Sequence, residues 1–259
     1  MKNKPAPAEK NQKTKWLIPL ITTIVFLGLA TATFLQRKAT SQPSDFPSAV
    51  VPTQETKSIP LPSPAYKSNT SVESALKSRR SIRSFVDQSV PLKVASQLLW
   101  SAQGVTAEWG ERTTPSAKST FSLSVYLIAN KIDGLNSGQY LYVPGERTPV
   151  HTLTPIKEGE FGEAIFTSLN QNSFKDVPGV LVITGDMAKM ASSFGGIAHD
   201  KEVYLEAGHA AQNLFLQAET LKIGLVVNST FNDSIIRNII SIPDNETIIY
   251  LIPFGVPKN

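Results

Sequence analysis

The sequence predicts an α+β domain over residues 70–259, a mixed β-sheet flanked by helices. Three observations carry this. From about Glu202 to Leu221, Val203, Ala207, Ala210, Ala211, Leu214, Ala218 and Leu221 recur three and four apart, the spacing of a long amphipathic helix. Ser122 to Asn130 and Gly138 to Val143 are rich in β-formers and are separated by an Asp133-Gly134 turn signal. Gly179 to Thr184 reads GVLVIT, the short apolar run of a buried strand.

The remaining elements follow in order. Thr70 and Glu73 form a capping box ahead of a helix whose Val72, Ala75 and Leu76 share one face. Pro91 to Ala102 places Val94, Ala95, Leu98, Leu99 and Ala102 at helical spacing, and Gly104 is positioned to end that helix. Thr113 to Thr120 is a polar loop. Phe161, Ala164, Ile165 and Leu169 mark another helix. Lys222 and Gly224 close the long helix, whose Ala207, Gly208, Ala210 and Ala211 are small enough to let a second helix approach closely, in the core or across a subunit boundary. A strand at Leu225 to Val227, a helix near Ser234 to Ile240 and a strand at Thr247 to Ile252 complete the domain.

Three segments precede it. Residues 1–15 form a basic tail, and Lys2, Lys4, Lys10, Lys13 and Lys15 against Glu9 account for the whole formal net charge of +4. The remainder is neutral, which argues against nucleic acid as its partner. Trp16 to Leu35 carries no charge over a length that crosses roughly 30 Å of hydrocarbon as a helix. The lysines on its N-terminal side place the tail in the cytoplasm and the domain outside, as a single-pass membrane anchor. A cleaved signal peptide is the competing reading, with Ala30-Thr31-Ala32 as a small-x-small cleavage site and a secreted domain as its result. Residues 36–69 are rich in Pro, Ser and Thr and read as an extended tether. With no cysteine, disulfides, thiolate metal sites and cysteine nucleophiles are excluded.

The run Arg79-Arg80-Ser81-Ile82-Arg83 follows the first helix. If the backbone there is extended, Arg79, Ser81 and Arg83 project to one side and offer two guanidinium forks and a hydroxyl, a set suited to a phosphate monoester. Taken alone, such a run also describes a solvated basic turn.

Taken together, RRSIRSF at Arg79 to Phe85, LLWSAQGVT at Leu98 to Thr106, RTTPSA at Arg112 to Ala117, EAGHAAQNLFLQA at Glu206 to Ala218 and IYLIPFG at Ile249 to Gly255 resemble the nitroreductase family, in particular its SagB-type dehydrogenase branch. The resemblance covers Ser71 to Val256. It implies a nitroreductase-like fold, a homodimer with FMN at the subunit interface, and hydride transfer through flavin N5, with NAD(P)H or an organic compound as donor. It implies that Arg79, Ser81 and Arg83 hold the FMN phosphate with help from Arg80. Pro115, Ser116 and Ala117 would lie along the ribityl chain and ring edge, next to the arginines, and Asn228, Ser229 and Thr230 would present a backbone amide to N5 and O4. The branch has glycine where this chain has Lys118, and a Tyr-Pro pair where it has Phe121 and Ser122. Lys118 therefore either points away from the ring or sets a positive charge beside it; in the second case it lies near flavin N1 and O2 and raises the reduction potential.

The histidines give a weaker signal. His209 and His199, with Glu206 as the nearest further ligand, read as structural or as contacts at the mouth of the site, and no metal is expected. Tyr204, Lys201 and Lys258 are placed to touch substrate or phosphate only by position. The resulting expectation is a membrane-tethered, FMN-dependent oxidoreductase with ping-pong turnover, acting on a small-molecule or peptide-derived substrate. The competing class is a non-catalytic flavin- or partner-binding domain of the same descent.

Overall fold

The computed structural model describes residues 58–145 and 150–258. The strands are β1 (Ile59–Pro60), β2 (Val90–Pro91), β3 (Leu123–Ala129), β4 (Ile132–Asp133), β5 (Gly138–Val143), β6 (Thr152–Glu158), β7 (Gly179–Gly185), β8 (Gly224–Leu225) and β9 (Thr247–Gly255). The helices are α1 (Val72–Ser78), α2 (Leu92–Gln103), α3 (Gly162–Leu169), α4 (Met187–Ser193), α5 (Asp200–Leu221) and α6 (Asp233–Ile239). The basic tail, the anchor expected at Trp16 to Leu35 and the linker up to residue 57 lie outside the described residues. Among the described residues no helix is long and apolar enough to cross a membrane.

Seven strands form one sheet in the order β1-β6-β5-β3-β7-β9-β8, with antiparallel neighbours throughout. Among the described residues, parallel pairing enters only through the separate two-stranded β2-β4 sheet. Every residue of β7 is buried, because helices cover both faces of the sheet and leave no side for polar alternation. Leu181 and Ile183 join Leu98, Leu99, Ala207, Ala210 and Leu214 in a core under α2 and α5. Val180 and Val182 turn the other way and pack with Ile165, Ile236 and Leu251 under α3 and α6. Truncating a fully buried leucine such as Leu99 or Leu214 to alanine costs about 2–5 kcal/mol.

Several expectations need correction. The tether does not run to Asn69: Ile59 and Pro60 pair with β6, and Leu61 is buried with its amide on the His151 carbonyl. A buried clamp holds this segment. The Pro62 carbonyl can only accept, so His151 Nε2 carries the proton at 2.9 Å, and Nδ1 accepts from the Tyr142 hydroxyl at 2.9 Å. Thr70 is not the cap of α1; Ser71 is, accepting from the Ser74 amide at 3.1 Å. Only Ala75 of the anticipated apolar face is buried, while Val72 and Leu76 are 63% and 55% exposed.

β6 escaped the sequence pattern because Pro155 interrupts it, a residue that central strands exclude. It is accommodated beside a register irregularity between Gln139 and Tyr140. α4, MAKMASS, is built largely of small residues and buries only Met190, so no apolar period marks it. On α5, Ala207, Ala210 and Ala211 face the core, but Gly208 faces outward, with open space where a side chain would stand. The long helix ends on Lys222 in the left-handed region, with φ 57°. Gly224 serves another purpose, taken up below.

Candidate functional site

The arginine run is extended, as expected. Ile82 donates its amide to the Leu225 carbonyl at 2.9 Å, Phe85 bridges to Pro257, and the Lys258 amide donates to the Ser84 carbonyl at 2.9 Å. The run therefore lies along β8 and the chain's last residues, which brings Lys258 beside it. Ile82 turns inward over Gly224, where a Cβ would stand 2.7 Å from its Cγ2. Alternation then turns Ser81 and Arg83 outward, and both are exposed. Arg79 is half-buried against α5, its guanidinium carbon 4.9 Å from the Phe215 ring centroid. Arg80 is used differently: its Nη1 donates to the Lys77 and Arg79 carbonyls and closes α1. Among the described residues no carboxylate lies within 4.0 Å of any of these guanidiniums. Three cations without an internal counter-charge fit an external anion such as a phosphate.

The Pro115–Ala117 bend leads into a short 3-10 turn at Ala117–Ser119. Lys118, Ser119 and Phe121 all have φ near +50°, at 52°, 50° and 50°. Left-handed backbone at 118 is a conformation that glycine adopts without strain, so a lysine there is strained in a way a glycine would not be. The Lys118 ammonium is engaged by protein groups. It donates to the Ser193 carbonyl at 2.9 Å and sits 4.1 Å from the Phe194 ring centroid, and Phe194 in turn stacks on His199 at 3.8 Å. The side chain is committed to the end of α4.

Ser116 is held from below. Its hydroxyl donates to Glu206 Oε2 at 2.7 Å and accepts the Phe121 amide at 2.8 Å, so any cofactor contact at this residue falls to its backbone. Ser122 donates to the same carboxylate oxygen at 3.0 Å, and Glu206 itself is 2% exposed. Nearby, Arg112 Nη1 donates to Gln103 Oε1 at 2.9 Å and its guanidinium lies 4.5 Å from the Phe121 centroid. Burial pulls the Arg112 pKa below its usual range, opposed by the negative charge of Glu206 and by Tyr142. Asn213 Nδ2 ties the Thr113 carbonyl to α5 at 3.0 Å. Arg112, Glu206 and Asn213 were legible only as parts of motifs; nothing in their spacing marked them as the frame of the bend.

At the 228–230 segment, the Asn228 amide is spent on the Leu251 carbonyl at 3.0 Å and the Thr230 amide on Asn228 Oδ1 at 2.9 Å. Ser229 is the member of the trio whose amide has no protein acceptor among the described residues. Asn228 also reaches Gln171 through its side chain at 3.3 Å. His199 pairs with Glu202 at 3.2 Å, while His209, Tyr204 and Lys201 are exposed on α5.

One chain does not bring the bend and the arginine run together. The bend meets α5 at Glu206 and the run meets it at Phe215, about 14 Å along the axis at roughly 1.5 Å per residue. The sheet agrees: the bend enters β3 at Leu123, opposite Gly185, whereas the run lies by Leu225, opposite Phe254 at the other end of β9. The expectation that the two are neighbours is not met within a single chain.

A helix-covered antiparallel sheet with an uncompensated basic run at one end and a polar bend at the other is an α+β arrangement with a place for an anion. A model of the nitroreductase family matches residues 76–256, and the chain belongs to that family, whose members usually bind flavin. It is 34% identical over 185 residues to a Methanocaldococcus jannaschii protein named as a nitroreductase, covering 71% of this chain and 90% of that one. A Ralstonia eutropha structure named as a nitroreductase is 26% identical, with a TM-score of 0.64 over 81% of this chain and 93% of that chain. An Anabaena variabilis structure, also named as a nitroreductase, shares the fold at 23% identity and a TM-score of 0.64, covering 76% of this chain and 41% of that chain.

Proposed function

We propose that this chain is an FMN-dependent oxidoreductase of the SagB-type dehydrogenase branch, working as a homodimer tethered to the membrane through Trp16 to Leu35. The observation that carries the cofactor reading is the set of guanidiniums at Arg79 and Arg83 that no internal carboxylate neutralises among the described residues. Arg79, Ser81 and Arg83 would hold the FMN phosphate, with Lys258 beside them and Arg80 left to cap its helix. The backbone of Ser116 and Ala117 would lie along the ring edge, and the Ser229 amide would face N5, where a donor stabilises charge on the reduced ring. When bound, FMN supplies hydride transfer at N5 in two half-reactions.

Because bend and run stand at opposite ends of one chain, a site containing both takes its bend from a second copy. Val72 and Leu76 on α1 offer exposed apolar surface for that contact. NAD(P)H is one electron donor consistent with this reading; an extracytoplasmic domain would use another reduced compound. The substrate is a small molecule or a peptide-derived group.

Titration of the purified full-length chain with FMN tests the proposal. The expected result is a yellow complex with a perturbed flavin spectrum that oxidises NADPH in the presence of a quinone or nitroaromatic acceptor. A protein that neither perturbs added FMN nor turns over rejects it.

A further inference from the structure

The stripe of α5 that faces the core is apolar at Val203, Ala207, Ala210 and Leu214, and Glu206 stands among these residues at 2% exposure. A carboxylate in such a place is costly unless it is paired and hydrogen-bonded. Its Oε1 has no protein partner among the described residues, and no ion pair forms within 4.0 Å, so it is not there to complete a salt bridge. What it gains is specific: both hydroxyls that flank the left-handed turn, Ser116 and Ser122, converge on Oε2 at 2.7 and 3.0 Å. The Ser116 hydroxyl passes this constraint on by accepting the Phe121 amide at 2.8 Å. Two consecutive links through Ser116, and a parallel one through Ser122, thus run from the helix core to a segment with φ near +50° at Lys118, Ser119 and Phe121, a conformation the local sequence does not favour.

We propose that Glu206 is the positioning residue of the cofactor bend: it acts through Ser116 and Ser122 to hold the Ser116–Ala117 backbone in the shape that receives the flavin ring. This rests on the flavoprotein reading above. Glu206 touches no ring atom; it sets the backbone that does. The two serine hydroxyls are the hydrogen bonds Glu206 makes to the bend, while its charge also favours the nearby Arg112 guanidinium.

The test uses the full chain and variants E206A, E206Q, S116A and E206A/S116A, read by amide hydrogen exchange without ligand and by FMN titration. E206A is expected to speed exchange across residues 116–122 at least tenfold while β7 and the rest of α5 keep wild-type protection, and to weaken FMN binding at least tenfold. E206Q, whose amide oxygen still accepts both hydroxyls, should restore most of each property. S116A, which leaves the Ser122 link in place, should loosen the bend in the same direction as E206A, and the double variant should lose less than the sum of the two single losses, because both remove the Ser116–Glu206 link. Additive losses, or unchanged exchange at 116–122 in E206A and S116A, overturn the proposal whether or not flavin binds. If E206A does not fold, S116A and E206Q decide the matter alone. A bend that loosens as expected in a wild type that binds no FMN retains Glu206 as its anchor and removes the cofactor reading joined to it.

Discussion

At the residue scale, the four cations of the run and its neighbourhood have different duties. Arg79 and Arg83 lack internal counter-charges among the described residues, whereas Arg80 satisfies the Lys77 and Arg79 carbonyls at the end of α1. A hydrogen bond to a charged group is worth about 1.5–3 kcal/mol, so Arg79→Ala and Arg83→Ala should each weaken FMN binding about 10- to 100-fold in an equilibrium titration. Arg80→Ala should leave that affinity near wild type and lower the melting temperature through the lost cap. His151 makes a separate prediction. Burial depresses its pKa below the ordinary value of 6.5, with the Pro62 carbonyl opposing. The unfolded chain therefore takes up this proton more readily than the folded one. Its stabilising contribution is complete above the unfolded value and is lost as pH falls from there down through the folded value. Melting temperatures should drop between about pH 7 and pH 5, and His151→Gln should flatten that slope while lowering stability at neutral pH.

At the element scale, the position of the run depends on a single close approach. Ile82 can turn inward only because residue 224 has no side chain: a Cβ there would lie 2.7 Å from Ile82 Cγ2 and 2.8 Å from its Cβ. Gly224→Ala should push the extended run off β8. The expected outcome is a loss of FMN affinity larger than the loss of global stability measured by urea unfolding, because β8 is a two-residue edge strand that gives the core a single side chain, Leu225. If the affinity holds while the domain is destabilised, the run is placed by something other than this contact. The bend shows a comparable dependence on α5, through Glu206, Asn213 and the hydroxyls they hold.

For the whole molecule, the separation of bend and run has a direct consequence. Each proposed site combines the run of one copy with the bend of the other. Leu76→Glu should yield monomers by analytical ultracentrifugation and lose FMN together with dimerisation. Co-expression gives a sharper check. An Arg83→Ala chain and an Ala117→Trp chain, each deficient as a homodimer, should recover one intact site when paired in a mixed dimer. If both parts of the site came from one chain, mixing would restore nothing.

The domain's helices α2, α3, α5 and α6 and strands β3, β5, β7 and β9 were legible because each is long enough, or buried enough, for its apolar period to show. β1, β6 and α4 were not: two prolines and a two-residue span hide the strands, which pairing across the sheet decides, and α4 is built largely of small residues with Met190 as its one buried side chain. The chemistry of the arginine run is a property of the chain read alone, whereas the left-handed backbone at residue 118 is seen only in the folded structure. The commitment of the Lys118 ammonium to Ser193, the burial of Glu206 beneath Ser116 and the distance between bend and run arise only when α4, α5 and the sheet are packed together. Local sequence specifies which groups are available; which of them remain free after residues far apart in the chain have been brought into contact is fixed by the tertiary fold.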